Sequence, residues 1–256
     1  MGMIFSSDIL DLGTISARSQ NASYPASNVG DLWHLKRRFR AGDAITGDWL
    51  LKFDLGATIS VAGIFLNDVN FDKVQIQAHG SDAWSTPDYD SGEIPISQNP
   101  FTGRYQVYIP VSFSKQWVRI YIPSSATVVG DYTSAWEIGT VVLLGSVNEL
   151  SKGAQELSRG ASDQVQTIKL PSGAHEAVQV GDALRWEGEF AWAPRRIEKE
   201  SDLLTLNRAL RGDPLVYYDN QGDTWDAYLC RRDTSYSASE AGLHVESQAM
   251  KLVEII

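Results

Sequence analysis

A lone cysteine, Cys230, leaves this 256-residue chain without any intramolecular disulfide, so its folded parts must hold together by their cores. Histidine is scarce. His34, His79, His175 and His244 are scattered, and none stands at metal-ligand spacing from another His or Cys. No apolar run approaches the length of a membrane span, and the N-terminus lacks the charged, apolar and small-residue succession of a signal peptide. Cations are outnumbered: 22 Lys and Arg stand against 32 Asp and Glu, a net charge of -10. The deficit divides as -4 over residues 1–147 (10 basic, 14 acidic) and -6 over 148–256 (12 basic, 18 acidic). Phosphate binding needs a concentrated basic face, so no nucleic-acid partner is expected. The run Lys36-Arg37-Arg38-Phe39-Arg40 is the local exception, and it reads as a solvated turn or a salt-bridged interface.

Catalytic arrangements are missing too. The chain has neither a phosphate-cradling glycine loop nor a Gly-x-Ser-x-Gly elbow. Carboxylate pairs such as Asp88 with Asp90, or Glu187 with Glu189, suit a solvated strand or loop as well as they suit acid–base chemistry. Asp219 to Asp223 has the look of a calcium loop but lacks the later Glu, and a hairpin turn fits it better. No enzyme, cofactor or metal is expected. Met1-Gly2 with Ser6 matches an acylation pattern, but no polybasic second signal follows. Asn21-Ala-Ser23 is formally a glycosylation sequon, without meaning unless the chain is secreted.

What the sequence does hold is short strands between Gly, Pro, Asn and Asp turns. Segments 47–56, 61–66, 73–78, 104–109, 117–122 and 137–144 read this way. In Trp117-Val-Arg-Ile-Tyr-Ile122, Val118, Ile120 and Ile122 share one face. Residues 15–31 are rich in turn formers, and 145–162 are polar and Gly/Ser-rich, an extended arm by composition. Beyond it, 165–170, 185–192, 215–218, 226–231 and 249–256 are further strands. One helix is expected, at about 201–211. Ser201 caps it, Leu203, Leu206 and Leu210 form its stripe, and Gly212 and Pro214 end it. Arg211-Gly212-Asp213 is then a helix stop, not an adhesive loop. The fold class is mainly β: an N-terminal jelly-roll β-sandwich over 1–146, then a C-terminal β-sandwich or barrel-like belt domain over 147–256. The second domain is expected to carry the polar arm at about 147–164 and the short helix.

Tyr24-Pro-Ala-Ser-Asn-Val-Gly-Asp31, Trp49-Leu-Leu-Lys-Phe-Asp-Leu-Gly56, Val61-Ala-Gly-Ile-Phe-Leu66 and Trp117-Val-Arg-Ile-Tyr-Ile122 follow one another in an order that resembles the discoidin-like, galactose-binding-type jelly roll. That resemblance covers about residues 8–146. It implies ligand binding, often of sugars, through loops at one end of the barrel. The corresponding loops here are Trp33 to Asp48 and Gly80 to Asp90, with Trp33, Arg40, Trp84 and Tyr89 as candidate ligand or partner residues. The competing reading makes Trp33 and Trp84 edge-packing residues or part of a protein interface. In that family the Asp54-Leu55-Gly56 and Val118-Arg119-Ile120 pieces build strands and not the ligand site.

From Trp136-Glu-Ile-Gly139 through the arm, the aromatic strand 185–192, Leu210-Arg-Gly-Asp-Pro214 and Lys251-Leu-Val-Glu-Ile-Ile256, the order resembles the distal tail, or baseplate hub-ring, proteins of long-tailed phages. This second resemblance implies a structural virion component at the tail tip, assembled in the host cytoplasm. Its expected partners are its own copies in a ring, expected as a hexamer, with the tail tube, the hub and other tip proteins. The alternative function is a carbohydrate-binding module used in host adsorption, with a glycan as ligand. One departure stands out: the binding-type domain comes first in this chain.

Overall fold

In the computed structural model, residues 3–6, 8–32, 37–130, 135–150, 156–162, 165–169, 175–179, 185–192, 214–219, 223–232, 237–241 and 244–255 are described. The chain opens with β1 (Met3–Ser6) and β2 (Thr14–Ala17), a 3-10 turn at Ala26–Gly30, and the two-residue β3 (Phe39–Arg40). The 22-residue β4 (Asp48–Val69) comes next, then β5 (Lys73–His79). Three short pieces, β6 (Tyr89–Asp90), β7 (Ile94–Pro95) and β8 (Ser97–Gln98), lead to the 18-residue β9 (Tyr105–Ile122) and to β10 (Glu137–Leu144). The second half supplies β11 (Asn148–Leu150), β12 (Glu156–Ser162), β13 (Val165–Lys169), β14 (His175–Gln179) and β15 (Arg185–Trp192). It ends with β16 (Leu215–Asp219), β17 (Ala227–Arg232), β18 (Ser237–Ala241) and β19 (His244–Glu254). The protein is mainly β, and the strand pairs among the described residues are antiparallel.

The two long strands each serve two layers. The first part of β4 pairs with β2 and with the end of β9, which pairs onward with β5. The second part of β4 lies between β10 and the start of β9. The register shifts between Asp54 and Ile59, where Gly56 takes a φ of +75° that an L side chain resists. Burial follows this division. Along Leu51–Leu55 buried and half-buried residues alternate, as in a sheet with one covered face. Gly63–Asn67 and all of β10 are buried without interruption, which requires cover on both faces. Leu51, Phe53, Ile76, Val118 and Ile120 from one layer meet Ile64, Leu66, Val107, Ile109, Ile138 and Val141 from the other in a single core. These are the two sheets of a jelly-roll β-sandwich.

The cover on the second layer comes from the second half of the chain. Phe65, Tyr108, Val142 and Leu144 pack against Val216, Tyr218, Ala227 and Leu229 of β16 and β17, with the Tyr108 and Tyr218 ring centroids 4.6 Å apart. Burial, with Tyr218 beside it, pushes the Tyr108 hydroxyl up to about 12. The Tyr108 amide donates to the Thr224 carbonyl (2.9 Å), and Gln106 donates from Nε2 to the Trp225 carbonyl. Gly63 makes room here: a Cβ on it would lie 2.8 Å from the Tyr108 hydroxyl.

The second sheet runs β11-β1-β16-β17-β19-β15-β12, so its second strand is the start of the polypeptide. The chain therefore begins in that sheet, crosses to the sandwich, and returns beside itself. The Gly145 amide donates to the Asp8 carbonyl (2.9 Å), and Ile9 bridges Leu144. The segment expected to be an extended polar arm, about 147–164, instead contains β11 and β12, paired with β1 and β15. Both stand at ends of the sheet order, where one flank is unpaired and polar, Gly-rich composition is tolerated. Residues 15–31, expected as turns, include β2, which pairs with β4. The expected helix at 201–211, with Arg211-Gly212-Asp213, lies outside the described residues. Cys230 is buried in β17, as an inert core thiol would be.

Candidate functional site

Because the second half covers one sandwich layer, the solvent face of the other is the open sheet face among the described residues. Alternation decides what stands on it. With Val118, Ile120 and Ile122 turned into the core, Trp117, Arg119 and Tyr121 of β9 point out. Across the ladder, Trp49 of β4 and Gln75 of β5 flank Tyr121, Lys52 and Gln77 flank Arg119, and Asp54 and His79 flank Trp117. Asp90 of β6 stands opposite Gln77 and extends the middle row.

The connection from Gly80 to Asp88 folds back over this face. Its base is fastened by the Gly80 amide donating to Asp88 Oδ2 (3.1 Å) and by Lys115 Nζ on the same oxygen (2.7 Å). Those contacts, led by Lys115, hold the Asp88 carboxyl below its usual range. Its tip is fastened by Lys52, whose Nζ lies 2.8 Å from both oxygens of Asp82, while the Trp84 indole N–H donates to Asp82 Oδ1. Bonds from Lys52 and Trp84 likewise hold the Asp82 carboxyl below its usual range. Lys52 in turn lies over the Trp49 ring at 4.9 Å and the Trp117 ring at 5.6 Å.

Arg119 occupies the middle. Its guanidinium lies over the Trp84 ring at 4.3 Å and near the Tyr121 ring at 5.6 Å. Nε donates to Gln77 Oε1 (2.6 Å), and Gln77 passes its own N–H to Asp90 Oδ2 (2.8 Å). Burial works to raise the Asp90 carboxyl, but bonds from Gln75, the Gly92 amide and Gln77 outweigh it and leave the carboxyl lowered. Burial depresses the Arg119 guanidinium, against the pull of Tyr121 and the nearby aspartates. Its two terminal nitrogens have no hydrogen bond to the described residues, and neither is sealed from solvent.

Of the three residues singled out in the sequence that lie among the described residues, only Trp84 is placed on this face. Arg40 belongs to β3, at the far edge of the sandwich. Its Nε donates to Glu137 Oε1 (2.7 Å) and its guanidinium covers the Tyr24 ring at 4.4 Å. Arg38 joins the same buried carboxylate (3.0 Å) and also pairs with Asp68 (2.9 Å), so Arg38 and Arg40 form a salt-bridged seam. Tyr89 faces the other way from Asp90 and packs on Phe113, ring centroids 4.8 Å apart, at the margin of the core. Trp33 lies outside the described residues. Of the face residues missed in the sequence, Trp49 reaches the face through the register shift between Trp49 and Leu51, while Trp117, Arg119 and Tyr121 carried a signal in the very alternation that identified their strand. Its apolar members named the core, and its other members named the exposed row.

Asp88 and Asp90 are held by separate partners, Lys115 and the Gln75–Gln77 pair, and do not form an acid–base couple. No group of three or more metal-ligating side chains occurs among the described residues. A concavity of about 480 Å³ lies elsewhere, between the 9–13 connection and the 3-10 turn, lined largely by Leu10, Leu12, Ile15, Leu32 and Val141. Asp11, Ser27 and Asp31 line it as well.

The chain matches no protein-family model and no curated protein. Among solved structures it is similar to chitosan-binding module 1 of a chitosanase/glucanase from Paenibacillus sp. IK-5, at 16% identity over 55% of this chain and 98% of that one, TM-score 0.38. A family 32 carbohydrate-binding module of C. perfringens NanJ, in complex with galactose, is similar at 15% identity over 58% and 100%, TM-score 0.39. The lectin domain of lectinolysin, complexed with Lewis B antigen, is similar at 12% identity over 52% and 94%, TM-score 0.38.

Proposed function

We propose that this protein is a carbohydrate-binding module whose platform is the open face of β4, β9 and β5. The observation that supports it is the aromatic cluster of Trp84 and Tyr121 against Arg119, with Trp49 and Trp117 against the neighbouring Lys52. Aromatic rings offer apolar faces on which the C–H side of a pyranose stacks, and a guanidinium offers forked donors to paired oxygens. Most of the face's other charges are already spent on one another, which keeps the platform rigid before any ligand arrives. The face contains no acid–base pair free to cleave a bond, so recognition without turnover is the chemistry it suits. Binding to immobilised glycans tests this. Trp84→Ala, and separately Trp49→Ala, should each weaken binding about tenfold with an unchanged melting temperature. Retention of full affinity by both variants would rule the face out.

The second reading, a ring-forming virion component at a phage tail tip, draws on one feature of the fold. The N-terminal strand is built into the second sheet, so the sandwich is mounted on that sheet without a slack linker, as an adsorption module on an assembly platform would be. Mass measurement in solution followed by electron-microscopy class averages tests it; a monomer at micromolar concentration, with no rotationally symmetric particle, would remove it.

A further inference from the structure

We infer that the open face takes a carboxylate-bearing glycan, with the terminal nitrogens of Arg119 forking onto the sugar acid. This rests on the carbohydrate-binding reading and deepens it. The inference comes from an uneven distribution of spent charge. Lys52 is committed to both oxygens of Asp82, and Lys115 to Asp88. Asp82 also accepts from Trp84, and Asp90 accepts from Gln75, Gln77 and the Gly92 amide. Arg119 alone among these cations bonds to a neutral group, through Nε to Gln77 Oε1, and keeps two terminal nitrogens unspent.

Its geometry is also fixed in advance. The Nε bond and the stack on Trp84 hold the guanidinium plane, so little rotamer freedom remains to be lost when a planar, two-oxygen partner binds. A carboxylate matches that fork in shape and charge, whereas a hydroxyl pair matches only its donors. Part of the cation's hydration is already displaced by the rings, and an anion would replace it. Asp48, Asp90 and Asp82, which all act on Arg119, and the chain's net charge of -10 oppose an acidic ligand, although Asp82 is paired with Lys52. Asp48, however, is paired with Arg18 at 2.7 Å, and charges farther off are screened within about 8 Å at physiological salt. Close forked contact therefore outweighs the distant field.

Calorimetry on the full chain tests this with trigalacturonic acid, its methyl ester and neutral galactotriose, and with 3′-sialyllactose against lactose. The acid should bind roughly tenfold or more tighter than its ester, a preference that weakens with added salt. Arg119→Lys should lose most of that preference while still binding the ester. A preference confined to 3′-sialyllactose would assign the carboxylate to a sialic acid; one confined to the trigalacturonate would assign it to a uronic acid. Equal affinity for acid and ester together with no preference for 3′-sialyllactose over lactose, or tighter binding of the neutral sugars, would overturn the acidic-ligand inference and leave the carbohydrate-binding reading standing. Absence of binding to every one of these sugars would overturn both. Both comparisons use the unmodified protein, so together they decide the matter even if Arg119→Lys fails to fold.

Discussion

Glu137 shows how much one side chain can hold. It is 1% exposed and accepts from both Arg38 and Arg40, two cations of the basic run. Its removal would leave both guanidiniums half-buried without their shared anion. Glu137→Ala is therefore expected to cost about 3–5 kcal/mol, read from urea unfolding. Asp82 acts by charge in a different way, since it is largely exposed and its role is to tether the Gly80–Asp88 connection. Its carboxyl is held below 3.8 in the folded protein, so the tether is fully present at neutral pH and is lost as pH falls through that lowered value. Trp84 fluorescence, taken as the difference from Trp84→Phe, should change over that acid range. In Asp82→Asn the acid step should vanish. An acid step that survives this substitution would show that Trp84 is held by something else.

Among the elements, β9 explains why one part of the site was legible and another was not. Its alternation assigns Val118, Ile120 and Ile122 to the core, and the same period assigns Trp117, Arg119 and Tyr121 to the opposite face. What alternation cannot assign is the neighbour. That Lys52 and Gln77 flank Arg119 depends on the register of β4 and β5, and that Trp84 lies over it depends on how the 80–88 connection folds back. Tyr89 looked equivalent to Trp84 in the sequence, yet it is turned to the core side by its pairing with Ala78. Strand β10 gives an element-scale test. Its Gly139 stands across from Asp68, whose φ of 53° bends that strand, and a Cβ there would come within 2.9 Å of the Asp68 Cβ and 3.0 Å of the Asn67 carbonyl oxygen. Gly139→Val should cost about 1–3 kcal/mol by forcing the two strands apart. A variant as stable as the parent would show that the ladder yields there.

At the scale of the whole molecule, the three layers are joined by apolar packing and are not strung on a linker. Phe65, Tyr108, Val142 and Leu144 would be bare if the sandwich were cut out. Leu229→Asp, which puts a charge into that junction, should destabilise the protein by several kcal/mol and shift a single calorimetric transition downward. Two separate transitions in the parent protein would show that the layers melt independently. What the sequence by itself determined is what depends on local period and composition: the β class and the strand segments that became parts of β4, β5, β9, β10, β13, β15, β16, β17 and β19. What only the tertiary structure decided is what depends on partners far apart in the chain. β1 is too short to announce a sheet, and it finds its place between β11 and β16 through pairing of residues 3–6 with residues 148–150 and 216–219. The segment expected as an arm became strands because an edge needs backbone partners more than apolar side chains. The open aromatic face exists because the second sheet covers the other layer, and no local pattern encodes which face is left to solvent.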